Sequence, residues 1–316
     1  MEKILVVGGS YFIGKKIVEI LSNADYEVFT LNRGTRPTKN CITNISCDRN
    51  DQNQMNCALK NHRFAAVIDV SGTNKLQAQI LYKALDKENI KNFIFISSSA
   101  VYDVENISTP FKESDKIAEN KYWTDYGKNK IEAEEYYTKV LSKTSAKFII
   151  LRPPYVYGED NYAQRESFIF EHLYNDKPII IPLSNPKLQF IYSKDLGNII
   201  LHLLKASLPK ISIFNVGNKT AVTAKEWIEA CAEVMEKKPI IIMYDYIIAK
   251  RQVRDFFPFF DYNNVLDVSK INQIYDSQTD FKAGLHNSMN WFLENIENID
   301  FKANVTENEL DILKTL

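Results

Sequence analysis

Val6-Val7-Gly8-Gly9-Ser10-Tyr11-Phe12-Ile13-Gly14 follows the apolar run Ile4–Val7 and opens a stretch where Ile13, Ile17, Ile20 and Leu21 recur at helical spacing. Strand, glycine turn and helix in this order decide the fold. Gly8 permits a tight turn, Gly14 lets the helix pack closely on the strand, and bare N–H groups at the helix start attract an anion. In this context the loop reads as a dinucleotide site made of Gly8, Ser10, Tyr11, Phe12, Ile13 and Gly14. Tyr11 replaces the middle glycine, so a side chain stands where backbone otherwise approaches phosphate. The alternative is a structural turn that holds no cofactor.

Outward from the loop, apolar β runs alternate with helical patterns. Glu27–Leu31, Ala66–Val70, Phe93–Ile96 and Phe148–Leu151 join Ile4–Val7 as short buried strands, and the weaker Ile42–Ser46 adds another. Ile13–Leu21 and Leu76–Leu85 read as crossover helices, the second placing Leu76, Ile80 and Leu81 on one face. Such alternation implies a doubly wound parallel α/β sheet of Rossmann type. After about residue 155 the rhythm breaks into shorter strands (Ile179–Pro182, Leu188–Ile191, Ile240–Met243) and helices near Asp195–Lys205, Ala224–Met235 and Phe281–Ile296. Residues 1–155 and about 193–217 are therefore expected to form the dinucleotide-binding domain. Residues 156–192 and 218–316 are expected to form a smaller, discontinuous C-terminal α/β capping region that binds substrate. Phe301–Leu316 reads as a final docked helix or a loose tail.

Composition narrows the class. The 316 residues can bury a sizeable core, and a formal net charge of −1 gives no general attraction for nucleic acid or anionic membrane. No secretory h-region or membrane-length apolar run is present in the sequence. The cysteines Cys41, Cys47, Cys57 and Cys231 lack C-x-x-C spacing, and the four histidines do not pair at ligand spacing. A reduced, cytoplasmic chain without a metal is expected.

Further polar groups fall at strand carboxyl ends, where such sheets bind ligands. Strand two ends in Asn32-Arg33, at the position roughly 20 residues beyond the loop where an acid would hold the ribose hydroxyls of NAD. Asn32 removes that acid and Arg33 can pair with a 2′-phosphate, which favours NADP over NAD; the alternative is that Arg33 and Arg36 are solvated loop charges. Asp48 is placed to meet the adenine amino group, and Val70-Ser71-Gly72 ends the fourth strand. Strand five runs into Ser97-Ser98-Ser99-Ala100-Val101-Tyr102. Tyr126 and Lys130 then stand four apart, on one face of a helix. An ammonium near a phenol favours phenolate, and such a tyrosine can act as general acid or base at a carbon bearing a hydroxyl or carbonyl.

This order of glycine loop, Ser-Ser-x-x-Val-Tyr and Tyr-x-x-x-Lys resembles the extended short-chain dehydrogenase/reductases, or NAD-dependent epimerase/dehydratases. Leu151-Arg152-Pro153-Pro154-Tyr155-Val156-Tyr157-Gly158 is similar to the segment that lines nicotinamide in that family, which implies cofactor contacts for Pro153 and Tyr155. The resemblance makes Ser98 the group that hydrogen-bonds the reacting oxygen, with Ser99 as runner-up. It makes Tyr126 the acid/base, and Lys130 the residue that binds the nicotinamide ribose and lowers the tyrosine's pKa. It also implies a homodimer through the Tyr-x-x-x-Lys helix and its neighbour. Two departures constrain the chemistry. Ser99-Ala100 stands where family dehydratases carry Asp-Glu, which argues against elimination. Leu188 stands where many nucleotide-sugar epimerases carry a diphosphate-binding arginine; Arg165, Arg251 or Arg254 are the available substitutes, with surface charge as the alternative for each. The loop with Tyr11, and Asn32-Arg33-Gly34, look like the atypical branch containing chloroplast stem-loop-binding proteins.

These residues lead to the expectation of an NAD(P)-dependent oxidoreductase or epimerase acting at a hydroxyl or carbonyl carbon of a small molecule, by the resemblance a sugar or nucleotide-sugar. The competing expectation is a non-catalytic cofactor-sensing or RNA-binding protein on the same fold. Against RNA stand the near-neutral charge and the absence of a basic stripe.

Overall fold

Parallel strands buried on both faces need near-continuous apolar runs, and this chain supplies them. A computed structural model describes residues 1–35, 42–301 and 303–316. Arg36 and Cys41 lie outside the described residues. The first six strands are β1 (Lys3–Val7), β2 (Glu27–Asn32), β3 (Thr43–Ser46), β4 (Ala66–Asp69), β5 (Asn92–Ile96) and β6 (Lys147–Arg152). With the later strand Ile211–Asn215 they form one seven-stranded sheet in the order Ile211–Asn215, β6, β5, β4, β1, β2, β3. Every pairing within it is parallel. The doubly wound expectation is met: the chain leaves β1 toward β2 and returns to its other side at β4, a switch point between β1 and β4.

The first crossover helices are α1 (Phe12–Ser22), α2 (Gln52–Leu59), α3 (Lys75–Ala84) and α4 (Thr124–Leu141). Asp51 caps α2 by accepting from the Asn53 and Gln54 amides, and Asn74 caps α3 through the Gln77 amide. Ile17, Val18 and Leu21 bury one side of α1, while α3 buries Ala78, Ile80 and Leu81. Leu76 departs from its expected face. It sits in the first turn of α3 and is 61% exposed, about 140° around the helix from the buried Leu81. Gly14 shows how closely α1 returns to β1: a Cβ there would lie 1.9 Å from the Gly8 carbonyl oxygen.

The chain divides into two compact units. The first comprises Met1–Val156, Ser193–Gly217 and Leu266–Gln278. Leu266–Gln278 was expected in the second region, but it covers the sheet's outer edge strand. Lys270 Nζ donates to the Ile213 carbonyl at 2.6 Å, and Asn215 Nδ2 reaches the Asp267 carbonyl at 3.3 Å. An uncovered edge would leave those groups open to pairing with another chain. The second unit comprises Tyr157–Tyr192, Asn218–Val265 and Thr279–Leu316. Its strands Ile179–Pro182 and Ile241–Tyr244 pair in parallel, beside the helices Glu166–Tyr174, Ala224–Val234 and Phe281–Asn295. Aromatic rings fill its centre, with Phe190 stacked on Trp227 at 3.8 Å. The expected strand Leu188–Ile191 is two pieces, Lys187–Leu188 and Phe190–Tyr192. Among the described residues, no helix is long and apolar enough to cross a membrane.

The last segment is a docked helix, Ala303–Leu313, which buries Ile312. Its Glu309 accepts from His172 Nε2 at 3.0 Å, and His172 Nδ1 lies 3.1 Å from Glu171 Oε2. Burial opposes the imidazolium, but hydrogen bonds to Glu171 and Glu309 outweigh it and hold the pKa up at about 9. A raised histidine pKa stabilises the fold fully below the unfolded value and loses that contribution as pH rises through the folded one. Thermal midpoints should therefore fall between pH 6.5 and about 9. The contribution is on the order of 1–3 kcal/mol, and His172→Gln should flatten the profile. An equal pH dependence in the variant would exclude this pair as the cause. Gly14→Ala should cost more than ~2 kcal/mol in urea unfolding, since the helix start must move away from Gly8.

Candidate active site

The glycine loop sits at the switch point. Gly8 has φ +91°, and a Cβ there would lie 2.5 Å from Ser71 Cβ, so the turn after β1 touches the turn after β4. Tyr11 has φ −150° and ψ 152°, extended backbone that any residue adopts, so the missing middle glycine demands no special conformation. Strain falls one residue later: Phe12 starts α1 with φ +41°, rare for a bulky residue, and its ring is buried. Ser10 and Ile13 are half-buried on either side.

Asn32 ends β2 and is held from two sides. Its Nδ2 donates to Asn44 Oδ1 at 2.7 Å, and its Oδ1 accepts from the Gly34 amide at 2.8 Å. Arg33 is exposed beside it. Asp48 accepts from the amide and the side chain of Asn50, both at 2.9 Å. The neighbouring Arg49 reaches the switch point instead. Its guanidinium grips Asp69 at 2.9 and 3.1 Å and Ser71 Oγ at 2.7 Å. Asp69, the last residue of β4, was missed by sequence reasoning, because a single acid closing an apolar run reads as a strand end.

The β5 end and α4 carry the remaining set. The Ser97 amide donates to Leu151 and the Ser99 amide to Pro153, which levels the turn after β5 with the one after β6. Ser98 caps a short 3₁₀ turn, Ser99–Val101, its Oγ accepting from the Ala100 amide at 3.2 Å. Asn120 bolts that turn to the start of α4: its Nδ2 donates to the carbonyls of Ala100 and Tyr102, both at 3.0 Å, and its Oδ1 accepts from the Tyr122 and Trp123 amides. Gly127 lets α4 approach, since a Cβ there would lie 2.6 Å from the Ala100 carbonyl oxygen. Asn120 gave no sequence signal, lying in a polar stretch without periodicity. Tyr126 is 40% exposed; its ring and that of Tyr155 flank Trp123 at 5.7 and 6.2 Å.

Lys130 is buried one turn further along α4. Its Nζ donates to the Gly72 carbonyl at 2.6 Å and the Ile96 carbonyl at 2.7 Å, and lies 5.9 Å from the Tyr126 ring centroid. Burial pushes the Lys130 pKa down to about 8. Behind it, Arg152 binds Glu134 of α4 through Nε at 3.1 Å and Nη2 at 2.6 Å, and Tyr102 OH donates to Asn215 Oδ1 at 2.6 Å. Thus Gly8, Ser71, Gly72, Ser98, Pro153, Tyr126, Lys130 and Tyr155 all lie at strand carboxyl ends or on the helix start packed there, within the first unit.

The second unit holds a cavity of about 240 Å³ walled by Phe168, Phe257 and Phe301, with His172, Arg254 and Asn304 as polar lining. Of the candidate arginines, Arg254 lines this cavity, Arg251 pairs with Asp311, and Arg165 precedes the helix Glu166–Tyr174. Leu188 is fully buried.

Known proteins share this chain's sequence pattern and fold. The chain is 27% identical over 311 residues to the chloroplast stem-loop binding protein of 41 kDa b from Arabidopsis thaliana, covering 92% of this chain and 79% of the relative. It is 26% identical over 323 residues to a putative UDP-glucose 4-epimerase of Methanocaldococcus jannaschii, covering 92% and 99%. The solved structure of the Bordetella bronchiseptica enzyme WbmH in complex with NAD+ has TM-score 0.76 at 18% identity, covering 93% of this chain and 99% of that one. The UDP-glucose 4-epimerase of Thermotoga maritima, solved with UDP-glucose, has TM-score 0.77 at 18% identity over the same shares. At these identities the two structures show the fold, whereas the model of the NAD dependent epimerase/dehydratase family matches residues 4–217, more than half of the chain. The chain belongs to the NAD dependent epimerase/dehydratase family.

Proposed function

We propose that this protein is an NAD(P)-dependent oxidoreductase or epimerase that works at a hydroxyl or carbonyl carbon of a nucleotide-sugar, using Ser98, Tyr126 and Lys130. The observation that carries this reading is the pair of bonds from Lys130 Nζ to the carbonyls of Gly72 and Ile96, which sets the Tyr126 helix against the ends of β4 and β5. The nearness of Gly14 to Gly8 and the helix start behind it suit a pyrophosphate, so the residues present fit a dinucleotide. When bound, its nicotinamide would supply the hydride donor or acceptor.

Each residue then has a task its bonds support. The Ala100 amide occupies one Ser98 lone pair, leaving the hydroxyl proton to donate to the substrate oxygen. Tyr126 exchanges the substrate's hydroxyl proton, its phenol reaching the surface. Lys130 commits two of its three donors to backbone carbonyls and keeps the third for a ribose hydroxyl. Ser99 and Ala100 provide no acid pair, so reduction, oxidation or epimerisation is favoured over elimination. Relatives named as UDP-sugar epimerases point to a nucleotide-sugar. Arg33, exposed after β2, can pair with a 2′-phosphate, and Asn32 lacks the charge by which an acid would repel that phosphate, which favours NADP.

A second reading, RNA binding, rests on the name of the plant relative and is opposed by the net charge of −1. Titration with NAD and NADP should raise the thermal midpoint by several degrees. No shift with either, together with RNA retention at low salt, would favour the second reading. Tyr126→Phe should keep that shift yet cut turnover of UDP-glucose or the substrate found by screening at least ~10²-fold. Arg33→Ala should weaken NADP far more than NAD; equal losses would remove Arg33 from the specificity argument.

A further inference from the structure

A fully buried carboxylate at the end of an apolar strand is costly unless charges and hydrogen bonds meet it. Asp69 is met on every side. Arg49, arriving from the turn after β3, spans the ends of β2 and β1 to bind it through both terminal nitrogens at 2.9 and 3.1 Å. Tyr137 OH donates to Asp69 Oδ2 at 2.7 Å, and Tyr137 lies seven residues after Lys130 on α4, hence on the same face. Gly72 is pressed against the carboxylate: a Cβ there would lie 2.4 Å from Asp69 Oδ2. The carbonyl of that same Gly72 receives Lys130 Nζ at 2.6 Å.

We propose that Asp69 is the positioning residue for Lys130: clamped by Arg49 and Tyr137, it seats the Gly72 carbonyl and supplies the counter-charge that keeps the buried ammonium protonated. This rests on the role given to Lys130 above. The other charged groups facing Lys130 are Glu134, on its own helix, and Arg49. Glu134 is committed to the bidentate bond with Arg152, at 3.1 and 2.6 Å. The rings of Phe95 and Tyr126 lie 4.8 and 5.9 Å from the ammonium and add weaker attraction. Burial lowers the Lys130 pKa, Asp69 is the strongest influence opposing it, and Arg49 acts in the same direction as burial. Asp69 remains ionised. Burial alone would raise its pKa, but the charge and hydrogen bonds of Arg49, with the bond from Tyr137, leave it below the ordinary carboxylate value. Tyr137 is pushed well up by burial and by Asp69, so it stays a donor.

The arrangement makes a prediction of opposite signs that a merely structural ion pair would not. With lysines labelled at Cε, NMR titration of the cofactor-free protein should show Lys130 turning over near pH 8, its resonance assigned by loss in Lys130→Met. Asp69→Asn should lower that midpoint by ~1 unit or more, whereas Arg49→Met should raise it. Either single variant leaves a charge buried alone and can fail to fold; the double variant removes both charges and is expected to keep the fold. Its midpoint should lie below that of the wild type, because the attraction of Asp69 exceeds the repulsion of Arg49. A midpoint unchanged or raised in the double variant, or shifts of one sign in both single variants, would overturn the assignment. The measurement needs neither cofactor nor substrate. Absence of NAD binding or turnover would therefore sink the proposed reaction without touching this result, and the reverse also holds.

Discussion

A buried ammonium bonded to two backbone carbonyls is the constraint from which the rest of the first unit follows. Lys130 reaches the Gly72 and Ile96 carbonyls only if β4 and β5 are neighbours, run in parallel and end level with each other. The helix must also lie close, which explains Gly127 against the Ala100 carbonyl and Asn120 tying the helix start to the Ser98 turn. A longer side chain at residue 127 or a shifted β5 register would strand the charge, and an unmet ammonium in such a place is among the more costly defects a fold can carry.

Two helix starts carry backbone that is unusual for their residue types. Phe12 and Thr124, at the first positions of α1 and α4, have φ of +41° and +40°, in a region that bulky and β-branched residues avoid. One helix start backs the glycine loop and the other carries Tyr126. The surroundings hold each in place: the Phe12 ring is buried, and the Thr124 amide donates to the Asn120 carbonyl at 2.9 Å. Among the other residues at positive φ, Asp25, Asp160 and Asn185 are short polar ones that tolerate it, whereas a bulky and a β-branched residue at two helix starts are costly exceptions.

The architecture was legible because burial on both faces writes itself into sequence as Val-, Ile- and Phe-rich runs, and the glycine loop fixes how the first run connects. Periodicity reports which side of an element is buried, not which partner it meets. Asp69 and Arg49 are twenty positions apart and their bond crosses two strands, so in the Cys47-Asp48-Arg49 turn the sequence points to Asp48 while its neighbour reaches the switch point. His172 and Glu309 are 137 positions apart and joined only when the last helix docks. Leu76 differs for another reason: it lies about 140° around α3 from Leu81, so only Ile80 and Leu81 of the expected face turn inward. Leu266–Gln278 joins the first unit by burying Leu266, Ile271 and Tyr275 and by hydrogen bonds to the edge strand, and so short an apolar set far along the chain does not declare which unit it packs on.

The seventh strand, Ile211–Asn215, has a consequence for how the molecule comes off the ribosome. Asn215 accepts the Tyr102 phenol at 2.6 Å and gives its own side-chain amide to the Phe111 carbonyl at 2.8 Å, and Tyr102 OH in turn receives Arg152 at 3.2 Å. During synthesis, β6 emerges with an open edge and with no Asn215 yet present to accept the Tyr102 hydroxyl, and the whole stretch Tyr157–Tyr192 must follow before the closing strand appears. At translation rates of roughly 5–20 residues per second, that edge stays unpaired for seconds. The growing chain thus passes through an interval in which its finished strands outnumber its finished contacts, when a chaperone would have the most to hold.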